Sequence, residues 1–538
     1  MEDKKRFGVM LDVSRNAVMK ISEIKNFIDI LKGFGYNTLL LYMEDTYTIE
    51  SHPYFGYMRG RYTQSELKEI DEYCAEKGIE VIPCIQTLGH LGTIFNWQEH
   101  RKYRDTNDIL LVDDMGVYGL ISDMLDAVKK CFSSNVVHIG MDESHHLGRG
   151  RYLDKHGYEN PETLFKRHLN KVLSMVKEKG LKPLIWSDMP FRVANNGEYY
   201  PKGEIKTVEV VNDEYKDDLG FVYWDYEHFD KKHYNKMILA HENLCEKRNL
   251  WFAGGAWSWI GFTPANKFSI DTLGASMVAC RERNVSNVFV TLWGNNGKEC
   301  SFYALLPSLF FAKKIYDGVT DLEIIKSEFK DCVGVDFDLM QSLDKPNLIC
   351  GNQDACRNPS EYIFYGDLFN SYITPSLPSG GDNEYLSVAL LLEKGLNTKF
   401  GYVFDVLSKL CKVLSIKYDL PKQIRSAYNE KDLTALKQCV SKIADCENRS
   451  EEFYLAFKTL WERENKPYGF EIQDYRIGGM IKRMQHCRTR LEEFLSCKIN
   501  RIEELEEPLL PFMENHSEKE VEFTCIPSWK SAMSANVL

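Results

Sequence analysis

The chain predicts an α/β fold, a (β/α)8 TIM barrel followed by a mainly α-helical C-terminal domain, on three observations. Strand and helix signals alternate regularly from residue 7 to about residue 300, eight strand-like runs fall in that stretch, and beyond it the signals are helical alone. Eight strands with helical crossovers in roughly 290 residues fit a barrel in count and in length. A doubly wound open sheet is the main competitor. No glycine-rich phosphate turn follows the first strand, however; it ends in Asp12-Val13-Ser14-Arg15. The expected division is 1–316 for the barrel and 317–538 for the helical domain, with a loop or linker near 350–384.

Apolar, β-branched or aromatic runs give strands at 7–13, 38–43, 80–85, 136–141, 183–186, 221–224, 250–253 and 288–293. Residues 21–31 repeat their apolar positions at three and four and stop at Gly33 and Gly35, as a helix does. Thr63-Gln64-Ser65-Glu66 makes a capping box ahead of Leu67, Ile70 and Tyr73, and Gly78 closes that helix. Residues 165–179 end on Gly180 in the same way, and 302–316 read as the last barrel helix. Segments 385–416, 431–463 and 470–503 carry apolar residues at helical spacing, as in Val403, Leu407, Leu410 and Leu414, with Gly395 and Gly401 splitting the first. Such stripes suit a helical core or a homodimer surface better than a cofactor box. The linker expected near 350–384 rests on its Asn, Pro, Gly and Ser content.

Bulk properties narrow the function class. With 538 residues, 44% hydrophobic and 27% charged, the composition is that of soluble globular protein. A net charge of -12 argues against nucleic acid or an anionic membrane as the main partner. No apolar run approaches the roughly 18 residues that span a bilayer. The 15 cysteines are odd in number and scattered, and the closest spacings, Cys350 to Cys356 and Cys439 to Cys446, match no zinc pattern. The opening MEDKKRFGVMLDV runs from charge straight into a strand with no signal-peptide core, so a cytoplasmic, thiol-reduced location is expected.

Barrel enzymes carry their chemistry at the C-terminal ends of the strands. Those ends hold Arg15; Glu44 and Asp45; Gln86 with His90; Asp142 and Glu143; Trp186 and Asp188; Trp224, Asp225 and Tyr226; Trp257 and Trp259; and Trp293, Asn295 and Asn296. The fourth is the most telling. Adjacent acids at the end of a buried strand repel each other and are costly to desolvate. Chemistry that keeps one ionised and the other protonated explains them; an acidic strand end reaching solvent or capping a helix is the competing explanation. Five of the nine tryptophans sit at the ends of four strands. Singly each is core filler or rim, but together with carboxylates and an arginine they suit a sugar ring, whose C–H faces stack on indole.

His138-Ile139-Gly140-Met141-Asp142-Glu143 closely resembles the H-x-G-x-D-E strand-four signature of family 20 glycoside hydrolases, the β-N-acetylhexosaminidases. The resemblance continues in register through Asp12 to Arg15, Gln86-Thr87-Leu88-Gly89-His90, Trp186 and Leu292-Trp293-Gly294. It covers about residues 7–300 and is similar to the bacterial branch with the barrel at the N-terminus and a helical part behind it.

The resemblance implies an exo-acting retaining enzyme that releases terminal β-linked GlcNAc or GalNAc from oligosaccharides or glycoconjugates, with no metal or organic cofactor. Most retaining glycosidases place two carboxylates across the scissile bond, which neighbours on one strand cannot do; the sugar's own 2-acetamido oxygen is then the nucleophile. Asp142 would orient the acetamido N–H and stabilise the oxazolinium intermediate, and Glu143 would act as acid and then as base. Arg15 would bind outer sugar hydroxyls, its competing role being a strand-end salt bridge. His90 and His138 would hold the acid pair, or be satisfied core histidines. Trp186, Trp224, Trp257 and Trp293 would box the acetamido methyl and the ring. Tyr226, or Tyr223 on the other strand face, would donate to the acetamido oxygen, and Asn295 would meet outer hydroxyls.

Three departures stand out. Gln86 replaces an aspartate common in the family, Trp257-Ser258-Trp259 lacks the familiar strand-seven tyrosine and aspartate, and Asn295 and Asn296 replace an acid after Trp293, which opens the gluco/galacto preference. Two further functions compete: a metal-dependent barrel hydrolase with His138, Asp142, His145 and His146 as ligands, and a sugar-binding protein without catalysis.

Overall fold

The computed structural model describes residues 5–349, 351–352, 357–371, 373–510, 529–534 and 536. Eight parallel strands, β1 (Arg6–Asp12), β2 (Thr38–Tyr42), β3 (Glu80–Cys84), β4 (Val136–His138), β5 (Lys182–Trp186), β6 (Gly220–Trp224), β7 (Leu250–Gly255) and β8 (Asn287–Leu292), close in chain order into a barrel. Val9 shows the closure, pairing with Leu39 of β2 on one side and Val290 of β8 on the other. That decides against an open sheet, which would leave two edges. Strands covered on both faces read as continuous apolar runs, and Thr38-Leu39-Leu40-Leu41-Tyr42 is buried throughout.

Among the described residues, nine α-helices accompany these strands: α1 (Ile21–Phe34), α2 (Gln64–Glu76), α3 (Met115–Cys131), α4 (Arg151–His156), α5 (Pro161–Glu178), α6 (Asp188–Ala194), α7 (Lys231–Glu242), α8 (Asn266–Glu282) and α9 (Leu306–Asp317). Helix α1 buries Ile24, Phe27, Ile28, Leu31 and Phe34, and stops at Gly35, whose φ of 89° lets its N–H reach the Leu31 and Lys32 carbonyls. The capping box of α2 forms in both directions: the Thr63 hydroxyl accepts from Glu66 N–H at 3.2 Å, and the Glu66 carboxylate accepts from Thr63 N–H at 2.7 Å. Helix α5 starts earlier than residue 165, because the Asn160 side chain caps it and Pro161 suits the first turn. Strand β4 ends at His138, short of residue 141, because Gly140 and Met141 both turn to φ 72°.

The chain packs as two compact units. The first gathers the described residues of Met1–Ala256, Ile270–Leu292 and Leu309–Ile325, and so holds the strands; the second gathers those of Trp257–Ser269, Trp293–Ser308 and Lys326–Leu538. Helices of the later chain are α10 (Leu322–Val333), α11 (Phe337–Gln341), α12 (Pro359–Tyr365), α13 (Gly381–Leu392), α14 (Gly401–Lys417), α15 (Leu420–Asn429), α16 (Leu433–Glu464) and α17 (Phe470–Leu495). Helix α14 buries Val403, Leu407, Leu410 and Leu414 and packs on α13 and α16, which in turn packs on α17. The chain breaks between α13 and α14 around Gly395 and Gly401, as expected.

The stretch 350–384 is not the plain linker its composition predicts. It contains α12, whose residues are all buried. Pro359 opens the helix, and Phe364 packs against Phe262 and Phe453 with ring centroids 5.6 and 4.9 Å apart. Apolar contacts there outweigh the turn-forming residues on either side. Among the described residues, no helix is long and apolar enough to cross a membrane.

Candidate active site

Neighbouring side chains on a straight strand point to opposite faces. The acid pair escapes that rule because β4 has already ended. Met141 at φ 72° and Glu143 at φ 49° hold left-handed backbone, which costs on the order of 1–3 kcal/mol per non-glycine residue and persists only where surroundings enforce it. Three side chains supply the enforcement. Gln86 Oε1 accepts from Met141 N–H at 3.2 Å, Asp188 Oδ2 accepts from Glu143 N–H at 3.1 Å, and His138 Nδ1 accepts from Gly140 N–H at 3.1 Å. Gly140 is required by the first of these, since a Cβ there would lie 2.0 Å from Gln86 Oε1. Both carboxylates consequently reach one imidazole: His90 Nε2 stands 3.1 Å from Asp142 Oδ2 and 3.7 Å from Glu143 Oε2.

The electrostatics push the two acids apart. Burial alone would raise the Asp142 pKa, but His90 and the Gln86 amide, which donates to Asp142 Oδ1 at 2.9 Å, hold it below the usual carboxylate range. Glu143 moves the other way, raised by burial, then by the negative charge of Asp142, with Asp188 adding to both. Its side chain is 44% exposed, so the burial contribution grows when a substrate covers it. Burial pulls His90 down, but Asp142 overrides it and lifts the imidazole to about 9, so His90 is a cation at neutral pH. Asp188, fully buried at the start of α6, is raised by burial and by Asp142, and shares Oδ2 with Arg192 Nε at 3.1 Å.

Arg15 forms a second pole. Its guanidinium pairs with Asp12 Oδ2 at 2.9 Å and with Glu44 Oε1 at 3.2 Å, and lies 5.1 Å from the centre of the Tyr42 ring. The strand-end salt bridge expected as the competing role is therefore present, yet the side chain keeps 21% exposure, enough to offer donors to a ligand. The Tyr42 hydroxyl donates to Glu44 Oε1 at 3.0 Å and accepts from Gln86 Nε2 at 3.0 Å, which joins the Arg15 pole to Asp142.

The aromatic residues separate into three groups. Trp186 is 1% exposed and packs on His138 at 4.5 Å and Phe289 at 6.0 Å, a floor rather than a wall. Trp224, half-buried, stacks on Tyr226 with centroids 5.4 Å apart and planes at 29°. Tyr223 is fully buried, donates to Asp225 Oδ2 at 2.8 Å and stacks on His241, while Tyr226 keeps 9% exposure. Trp257, Trp293 and Asn295 follow β7 and β8 but belong to the second unit. There Trp257 stacks on Trp259 at 4.4 Å, the Trp293 carbonyl accepts from Ser258, and Asn295 is exposed.

His138 is buried and neutral, its pKa lowered to about 3 by burial. Among the described residues it does not converge with Asp142, His145 and His146 as a ligand set; the groups that do converge are His90 with Asp142 and Glu143, and Asp225 with His228 and His233. Of the four ligands expected for a metal-dependent hydrolase, only Asp142 stands in one of these groups.

Residues 6–205 match the family model described as glycosyl hydrolase family 20, catalytic domain, and residues 336–524 match the glycoside hydrolase 20C C-terminal domain. Together they cover more than half of the chain. It belongs to glycoside hydrolase family 20. Similar relatives carry the names of that family of glycosidases: hexosaminidase D of Homo sapiens is 28% identical over 34% of this chain and 39% of its own length. A β-hexosaminidase of Akkermansia muciniphila is 24% identical over 37% of this chain and 47% of its own. The solved exo-β-N-acetylglucosaminidase of Vibrio harveyi is 15% identical, covering 63% of this chain and 58% of that one at a TM-score of 0.46. The chain thus spans about half or less of the length of these curated relatives.

For a family 20 chain, the sequence signature singles out the acid pair, His90 and Arg15, and gives no sign of the side chains that hold them. Gln86, read as a departure, turns out to anchor Asp142 and the Met141 backbone. Asp188 and Tyr42 carried no signal for their roles, because a side chain that props a backbone N–H or bridges two others leaves no spacing to read. The Asp225-x-x-His228-x4-His233 spacing is visible in the sequence itself.

Proposed function

We propose that this family 20 chain is an exo-acting retaining β-N-acetylhexosaminidase that removes terminal β-linked GlcNAc or GalNAc by substrate-assisted catalysis. The observation that carries it is the acid pair at the end of β4, both carboxylates beside the one His90 imidazole, with Asp142 shifted below the usual carboxylate range and Glu143 shifted above it. Asp142 accepts the acetamido N–H and, once the acetamido oxygen has attacked C1, faces the positive charge of the oxazolinium. Glu143 gives its proton to the leaving oxygen as the C1–O bond breaks. It then takes a proton from the water that attacks C1, and the second inversion restores the β configuration. Tyr226 offers a hydroxyl to the acetamido oxygen, Trp224 a face to the ring, and Arg15 donors to the outer hydroxyls. A thiol-reducing, cytoplasmic setting belongs to the same proposal and fits twelve described cysteines that all stand free.

The test is hydrolysis of p-nitrophenyl N-acetyl-β-glucosaminide and its galacto epimer beside the parent β-glucoside. Cleavage of the N-acetyl substrates alone, blocked by a thiazoline analogue of the bicyclic intermediate, is expected. Equal turnover of the glucoside would refute acetamido participation. Binding without turnover would instead make this a sugar-binding protein.

A further inference from the structure

Immediately after β6 the chain gathers three donors that the glycosidase chemistry does not use. Asp225 is buried, and both its oxygens lie 3.0 Å from His228 Nδ1, while Oδ2 lies 2.9 Å from His233 Nε2. The two imidazoles stack face to face at 3.6 Å with planes only 9° apart, and His228 Nδ1, His233 Nε2 and an Asp225 oxygen lie within 4.8 Å of one another. His233 stands in the first turn of α7, on rigid backbone, and His228 comes from the loop between. Both histidines keep part of their surface open, 34% and 22% of the side chain.

We propose that Asp225, His228 and His233 form a binding site for one divalent ion of the zinc class, separate from the acid pair. Two imidazole nitrogens and one carboxylate are the donor set such ions select, whereas magnesium and calcium prefer oxygen alone. Tetrahedral zinc at about 2.0–2.2 Å from each donor holds neighbouring donors about 3.3 Å apart. The two carboxylate–imidazole separations, 3.0 and 2.9 Å, need to widen by a few tenths of an ångström, and the stacked rings must turn about their Cβ–Cγ bonds so that both lone pairs face the ion. The open side of the two histidines leaves a fourth position for water, as zinc sites with three protein ligands do.

An outer layer is already in place. The Tyr223 hydroxyl donates to Asp225 Oδ2 at 2.8 Å and Glu227 N–H to Oδ1 at 3.2 Å, while Tyr234 donates to the His228 carbonyl at 2.7 Å. Partners of this kind orient ligating carboxylates and imidazoles. On binding, each imidazole gives its inner nitrogen's lone pair to the ion: a neutral ring moves its proton to the outer nitrogen, and a protonated ring releases one to solvent. The site flanks Trp224 and Tyr226 in the chain, so an ion there would fix the segment that carries them. It does not depend on the glycosidase assignment.

The full chain, stripped with chelator and dialysed, is titrated calorimetrically with zinc chloride and, as an oxygen-preferring comparison, magnesium chloride. One zinc per chain, a raised melting temperature, proton release that scales with the buffer's ionisation enthalpy, and a tetrahedral cobalt spectrum are expected. His233→Gln and His228→Asn should each lose at least tenfold in zinc affinity, and their metal-free melting curves show whether they fold. Should a variant fail to fold, the wild-type cobalt spectrum still decides. No zinc binding by the wild type, or the same affinity in folded variants, would overturn the site and leave a hydrogen-bonded triad. Zinc kept by His233→Gln but lost by Glu143→Gln would overturn it too, by moving the ion to the acid pair.

Discussion

Glu143 is reactive only in the company it keeps. A carboxylic acid beside an ionised neighbour stays protonated to higher pH, and here Asp142 supplies that neighbour while Asp188 adds to it. Glu143→Gln keeps the shape and removes both proton transfers, so kcat for the p-nitrophenyl substrate should fall about 10²–10⁴-fold in a steady-state assay with little change in KM. His90 tests the other half. Asp142 is lowered by His90 against a burial effect that raises it, so its charge is lost only as pH falls through that depressed pKa. In His90→Gln burial prevails, and the acid limb of kcat/KM should move to higher pH; an unmoved limb in the pH–rate profile would show that Asp142 does not set it. Of the residues named here, those proposed to meet the sugar are of types whose chemistry can be read in a sequence, such as Arg15, Asp142 and Glu143. Trp186 shows the limit: its position at a strand end was legible, but its burial between His138 and Phe289 depends on packing that no local pattern encodes.

Strand β4 is the element that makes the site, and it does so by stopping early. The eight strands were legible because burial on both faces leaves continuous apolar runs, and α1 and α2 because their caps are local. The end of β4 was not, since Met141 and Glu143 take left-handed backbone against their own preference and are held there by Gln86 and Asp188 from other strand ends. Gly140→Ala places a methyl 2.0 Å from Gln86 Oε1 and keeps an unfavourable φ. It should lower stability by about 1–3 kcal/mol in urea melts and abolish most turnover. Gln86→Ala, which makes room but releases Met141 N–H, should lower kcat more than it raises KM. At α2 the capping box predicts a smaller effect: Thr63→Ala should cost about 1 kcal/mol by the same urea measurement and leave kinetics unchanged. The 350–384 stretch erred in the opposite direction, because turn-forming composition hid a helix that owes its order to Phe262 and Phe453.

For the molecule as a whole, acid sensitivity should come from histidines rather than from carboxylates. Burial holds His138 at about 3 and His168 and His241 at about 4, all neutral when folded. An unfolded histidine takes its proton near 6.5, so these groups contribute full stability above that pH and lose it as pH falls toward their folded values. Each should remove about 1.4 kcal/mol per pH unit in that window, read as a declining urea midpoint, and His168→Gln should flatten the slope by one such share. Asp142, whose folded pKa is depressed, adds its own loss only at still lower pH. The links from Arg15 through Glu44, Tyr42 and Gln86 to Asp142 run across the first four strands as one continuous polar wire. Under the proposed roles of Arg15 and Asp142, that wire would couple recognition at one end to catalysis at the other. An epimer whose outer hydroxyl sits badly at one end would slacken the grip on the amide at the other, and so be held but processed slowly; severing the wire with Tyr42→Phe should narrow the gap in kcat between the two epimeric substrates.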